Sequence, residues 1–162
     1  CKYISQFDEI GNYYKNDSNI FNILFPHWNY EYELYPRPKM IKRSAELIKN
    51  WDLIFGHHPH VVQPITQNNL NGINKIIAYS GGNFVSGYYR SAHRYGLVMK
   101  CEIGKLKSDP SKYAVGDVHW EFCHTESDGY IKFKKTILKP IAGPFMKVRI
   151  DAENDYFPNL DV

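Results

Sequence analysis

The run Ile20-Phe21-Asn22-Ile23-Leu24-Phe25 is apolar and partly β-branched, and it breaks at Pro26-His27-Trp28. A short run of this kind reads as a buried strand that delivers a histidine at its C-terminal end. From Pro38 to Lys49 the apolar residues fall at positions 40, 41, 45 and 48. Those steps put them on one face of a helix, and Pro38 suits its first turn. Asp52-Leu53-Ile54-Phe55-Gly56 then gives a second buried strand. Strand, helix and strand over this length form a βαβ unit, whose right-handed crossover makes the two strands parallel. Parallel strands end on one edge of their sheet, where open α/β sheets place their ligands. His27 and the histidines that follow Phe55 are therefore predicted to converge.

Beyond Gly56 the pattern changes. Val61–Ile65, Ile73–Tyr79, Tyr95–Ile103, Val115–His124 and Tyr130–Leu138 read as strands separated by Asn-Gly, Gly and Asp-Pro turn signals. Val118, Trp120 and Phe122 alternate with His119, Glu121 and Cys123, and Ile131 and Phe133 alternate with lysines. This is the pattern of half-exposed antiparallel strands, and a hairpin through Ser127-Asp128-Gly129 is expected to join the last two. The predicted class is α/β, a parallel βαβ unit followed by mainly antiparallel strands. One domain is expected over residues 1–150, with a loose tail rich in Asp, Asn and Pro at 151–162.

Composition leaves room for a core, with 43% apolar and 15% aromatic residues in 162, and it excludes a disordered chain. The 20 basic residues nearly balance 17 acidic ones, and the lysines are scattered rather than striped, so no nucleic-acid partner is expected. Cys1, Cys101 and Cys123 form no CxxC pair. Neither a thiolate zinc site nor a disulfide framework is indicated, and Cys101 and Cys123 read as ordinary strand residues. No apolar run approaches the roughly 20 residues that span a bilayer. The first residues carry neither a signal pattern nor an initiator methionine, so the chain is expected to continue upstream.

The chemistry concentrates in FGHHPH, residues 55–60. His58 and His60 flank Pro59, and a His-x-His pair in an extended segment points both rings to one side. Neutral imidazole is a common ligand for zinc, iron or manganese. Gly56 removes a side chain where strand bends into loop, and Pro59 stiffens the turn. Glu31 lies four residues after His27 and reads either as a partner that fixes a histidine tautomer or as a surface glutamate on an aromatic loop. Ser80-Gly81-Gly82-Asn83-Phe84 follows another strand. Its glycines permit close backbone approach and Asn83 offers a donor and an acceptor to an oxyanion, although a plain turn explains the glycines equally well. Tyr88, Tyr89 and Arg90 read as a polymer-binding groove or as a solvated loop.

Taken together, HWNYEY with its following proline, DLIFGHHPHVVQP and IAYSGGNFV resemble the CapA (PgsA) family of capsule biosynthesis proteins, associated with bacterial poly-γ-glutamate, over Ile23 to Val85. The resemblance implies the C-terminal half of a calcineurin-like metallophosphoesterase sandwich, with divalent metal ions (Mn, Zn or Fe) in its strand-end loops. It implies His27, His58 and His60 as ligands, His57 and Asn83 as catalytic groups, and Glu31, Gly56 and Ser80 in support. Asn29, Gly81 and Met40 stand where the family's motifs have glycine, leucine and glutamine. The superfamily's early Asp and Asn-His motifs have no match before His27, where residues 1–19 offer only Asp8, Glu9 and Asp17. The remaining ligands are thus expected from a missing N-terminal half or a partner chain. The implied function is a metal-dependent phosphoesterase-like hydrolase of capsule synthesis, acting on an anionic polymer or phosphoester beside membrane-bound synthesis proteins in the cell envelope. The alternative is a non-catalytic envelope component that binds polymer or partner proteins.

Overall fold

The computed structural model describes residues 7–10, 16–86, 91–125, 131–134, 136–140 and 145–150. A single helical turn, α1 (Phe7–Ile10), precedes β1 (Ile23–Leu24), α2 (Pro38–Asn50) and β2 (Leu53–Phe55). β1 and β2 run parallel, with Ile23 opposite Leu53, as a βαβ unit requires. Next come β3 (Ile65–Leu70), β4 (Ile73–Ala78), a short 3₁₀ turn (Ser91–Arg94), β5 (Tyr95–Lys105), β6 (Tyr113–Thr125), β7 (Ile131–Lys134), β8 (Thr136–Pro140) and β9 (Phe145–Ile150). A mixed sheet has the order β1-β2-β4-β3-β9-β8, and β5-β6-β7 form a second sheet that is antiparallel throughout. The fold is α/β, compatible with part of a two-sheet sandwich.

Alternation along β2 and β4 decides the layering. Leu53, Ile76 and Ala78 join Ile65 and pack against Tyr95, Leu97, Val115, Trp120 and Phe122 of the second sheet. Ile54, Ile77 and Tyr79 face the other way, onto Trp28, Trp51 and the Met40 and Ile48 side of α2. The mixed sheet is thus covered on both faces here, and each fully buried large apolar side chain contributes about 1.5–3 kcal/mol.

Several elements depart from the sequence pattern. The buried residues of α2 are Met40, Ser44 and Ile48, while Ala45 is exposed. Ser44 is tolerated inside because its hydroxyl bonds the Ile41 carbonyl and lies 2.9 Å from the Tyr79 hydroxyl. The first strand is an exposed edge rather than a buried one, with Ile23 38% and Phe25 62% exposed. Val61 and Val62 are buried loop residues, Val62 making one bridge to Gly81. The strand expected there starts at Ile65 and runs on through polar Thr66-Gln67-Asn68-Asn69. Asn71 and Gly72, with φ of 56° and 81°, make the tight turn into β4. Tyr130–Leu138 divides into β7 and β8, which belong to different sheets. Cys123 is fully buried instead of solvent-facing, and its thiol contacts the Phe84 carbonyl at 3.7 Å. Cys101 and Cys123 are free thiols. Cys1, the 127–129 turn and the tail at 151–162 lie outside the described residues.

Lys75 ties the βαβ unit together. It sits on the helix-facing side of β4, and its ammonium donates to the carbonyls of Ile48, Lys49 and Trp51 at 3.2, 3.3 and 2.9 Å. The last carbonyls of a helix have no partner within it, and they form the negative end of its dipole. Asp52 Oδ1 lies 3.7 Å from the same ammonium, while Asp52 Oδ2 accepts the Asn22 backbone N–H at 2.7 Å. Burial pushes the Lys75 pKa down and Asp52 opposes that shift. Lys75→Met keeps the bulk but strands these carbonyls, and it is expected to cost about 2–4 kcal/mol in urea unfolding. Lys75→Arg should recover part of the loss. A loss under about 0.5 kcal/mol, the scale of an exposed pair, would show that the ammonium is not holding the junction.

Candidate metal centre

Three strand ends meet at one edge of the mixed sheet, and a close backbone approach holds them. The Trp28 indole N–H donates to the Tyr79 carbonyl at 2.7 Å. It passes over Gly56, where an added Cβ would lie 2.1 Å from the Tyr79 oxygen and 2.2 Å from Trp28 Nε1. Only glycine permits that approach. The ladder continues past the strands through His57 N–H to Pro26 O at 2.9 Å, Trp28 N–H to His57 O at 3.1 Å and Gly81 N–H to Gly56 O at 3.0 Å. His27 and His57 form an isolated parallel bridge, so the histidines predicted to converge do so.

Beyond this edge the chain turns sharply. His58 and His60 adopt φ of 102° and 60° on either side of buried Pro59. Ligand atoms of Glu31, His58 and His60 all lie within 4.8 Å of one another. Tetrahedral coordination at about 2.1 Å places donors about 3.4 Å apart, so these atoms would have to draw together for the group to hold one cation. Glu31 Oε1 stands 3.9 Å from His60 Nε2. The His27 ring packs 4.4 Å, centroid to centroid, from that of His58, beside the group rather than within it.

Glu31 reaches the donors because its loop is bent and pinned. Asn29 and Tyr32 have φ of 68° and 66°, and the Tyr32 N–H donates to the Pro59 carbonyl at 2.7 Å. Buried Gln63 accepts from the Asn29 amide at 3.1 Å and donates to the Glu33 carbonyl at 2.8 Å. Left-handed backbone is open to glycine and, next best, to asparagine, which accounts for Asn29 where the family's motif has glycine. At Gly81 a Cβ would fall 2.5 Å from the Phe55 ring, so leucine does not fit beside this phenylalanine. Met40 packs into the core under α2.

The other predicted site residues take distinct places. The His57 ring stacks on Phe25 at 5.8 Å and lies 5.4 Å from Phe55, between aromatic neighbours rather than among the Glu31, His58 and His60 donors. Burial, and then His27, pushes its pKa below the ordinary 6.5. His27 is lowered too, first by burial and then by His58 and His60. Both shifts favour the neutral form of the ring. Ser80 Oγ accepts the Gly82 N–H at 3.1 Å and shapes the turn. The Asn83 carboxamide contacts His60 Nδ1 and the carbonyls of His60 and His93. Sequence reasoning missed Gln63, Tyr32 and His93. The Tyr32 ring lies 6.1 Å from His60 and 4.6 Å from His93. A buried glutamine between Val62 and Pro64 was the one available signal, since buried amides need partners. Tyr88, Tyr89 and Arg90 lie outside the described residues.

Two outcomes follow from this geometry. Left-handed backbone costs about 1–2 kcal/mol for a residue with a Cβ, which exceeds the roughly 0.5–1 kcal/mol of chain entropy that glycine forfeits. His58→Gly should therefore be at least as stable as His58→Ala in urea, although both lose the same donor; the ordinary order, with alanine more stable by about 1 kcal/mol, would contradict the loop. Depressed histidine pKa values also set a pH trend. The folded chain takes up fewer protons than the unfolded one below 6.5, so stability is full above that value and declines as pH falls through it. A urea midpoint that rises between about pH 7 and about pH 5.5 would have the wrong sign.

Residues 12–88 match the family described as Bacterial capsule synthesis protein PGA_cap. The chain is 38% identical over 60 residues to the PGA biosynthesis protein CapA of Bacillus subtilis (strain 168), a stretch covering 36% of this chain and 15% of that protein. It thus spans only a small part of the length of the curated relative it matches. No solved structure matches. Among the described residues, no helix is long and apolar enough to cross a membrane. His27, Glu31, His57, His58, His60 and Asn83 all fall within residues 12–88, the stretch of this chain that is similar to the bacterial capsule synthesis proteins of the PGA_cap family.

Proposed function

We propose that this chain contributes part of a metal-dependent hydrolase centre to capsule synthesis in the cell envelope, with Glu31, His58 and His60 holding one divalent cation. The observation that carries the reading is the donor group itself, two imidazoles and a carboxylate gathered at the C-terminal edge of parallel strands. The donor set suits zinc, manganese or iron. A bound cation would supply Lewis-acid polarisation of a substrate oxygen. Glu31 offsets part of the cation's charge, His58 and His60 add neutral donors, and the His27 ring lies alongside that of His58. The substrate on this reading is a phosphoester or an anionic polymer such as poly-γ-glutamate. Membrane-bound synthesis proteins are the expected neighbours, and the remaining ligands come from an N-terminal half or a partner chain.

Exposed Tyr30, Tyr35 and Phe84 on the loops around this edge favour a second reading, a non-catalytic module that binds polymer. One experiment separates the two and tests the first. Calorimetric titration of the 162-residue chain with zinc and with manganese should find one equivalent bound, because a single carboxylate cannot offset the repulsion of two dications. Phosphodiester turnover should be absent. Replacing His58 and His60 together by Ala should abolish binding while leaving the fold intact, since strand-end loops contribute little to the core. No binding with polymer retention would favour the module, whereas two equivalents with turnover would show that the whole centre lies within this chain.

A further inference from the structure

We infer that Asn83 is a positioning residue that fixes the neutral His60 ring as its Nδ1–H tautomer and so presents Nε2 as the donor atom. The inference rests on the proposed role of His60 as a ligand, and it moves Asn83 from direct catalysis to acting through that ring.

A carboxamide has one acceptor oxygen and one nitrogen with two protons. Asn83 Nδ2 lies 2.9 Å from the His93 carbonyl oxygen and 3.2 Å from that of His60. Carbonyl oxygens only accept, so the nitrogen must face them; the flipped amide would set its own oxygen against both. Asn83 Oδ1 is thereby directed to His60 Nδ1 at 2.9 Å. Because that oxygen also only accepts, Nδ1 must carry the proton. A neutral imidazole has a single N–H, which leaves the lone pair on Nε2, the atom 3.9 Å from Glu31 Oε1.

Asn83 is also well placed to hold this arrangement. Its backbone N–H donates to the Tyr95 carbonyl at 3.1 Å, which anchors it to the start of the second sheet. His60 has φ of 60°, and that turn brings its carbonyl back to the same carboxamide that binds its ring. One side chain thus grips His60 at both backbone and imidazole, and it selects the nitrogen as well as the direction of the lone pair. Such outer partners of a ligating histidine typically change metal affinity 10–100-fold.

The test reads the tautomer in the metal-free chain. Long-range proton–nitrogen correlation spectra at about pH 7.5, above the ordinary histidine range, should show a protonated Nδ1 and an unprotonated Nε2 for His60, assigned by the signal lost in His60→Gln. Asn83→Ala should average the two nitrogens and weaken zinc binding about 10–100-fold. Asn83→Asp keeps the acceptor toward Nδ1 but sets its second oxygen against the two carbonyls, so it should keep the tautomer bias only in part and still lose affinity. A protonated Nε2 in the unsubstituted chain overturns the inference whatever the zinc affinity, and that spectrum decides the matter even if a variant fails to fold. The expected tautomer without any zinc binding would instead uphold the role of Asn83 and reject the metal reading.

Discussion

The site depends on the hydrogen bond from the Trp28 indole to the Tyr79 carbonyl across Gly56. Trp28 and Tyr79 are essentially buried, so water does not stand in for this bond, and breaking it leaves a desolvated group worth about 1–3 kcal/mol. Its importance is positional. Trp28 follows His27, Gly56 precedes the three clustered histidines, and Tyr79 precedes the turn that ends in Asn83. One contact therefore brings together the roots of all three segments that build the centre. Lys75 and Asp52 perform the matching task at the opposite end of the strands, where they join β1, β4 and the end of α2.

Features set by burial were legible in the sequence. Leu53-Ile54-Phe55 and Ile76-Ile77-Ala78 lie between two layers, and their unbroken apolar runs announced it. Features set by pairing or by local backbone were not. Thr66 to Asn69 form a strand because the Asn71-Gly72 turn and the ladder with β4 impose it, and no apolar alternation marks the segment. Ser44 displaced Ala45 from the buried side of α2 because a hydroxyl opposite Tyr79 is satisfied there; composition alone ranks the two residues the other way.

The same division holds at the centre. The approach of His27 to His57 and His58 was readable because parallel strands end together. The place of Glu31 among the donors was not, since it depends on left-handed backbone at Asn29 and Tyr32 and on the amide bonds of Gln63. Spacing rules count residues along an extended or helical path, and this loop follows neither. The positions that defeated the reading are strained or polar and buried, as expected where a fold gives up local preference to place a functional group.

Strain and charge work in the same direction here. Partial desolvation, and then the neighbouring His58 and His60 rings, make protonation of His27 unfavourable. A cation shared among the donors avoids that repulsion, since one charge then serves several lone pairs at once. Glu31 is the one carboxylate in the group, so on the proposed reading a dication leaves a net charge of 2 − 1 = +1. That residual charge sits at the end of parallel strands, on an edge left open by exposed His27 and Glu31. On that proposed reading, an anionic ligand such as a phosphoester or polycarboxylate would complete the charge balance without further protein groups.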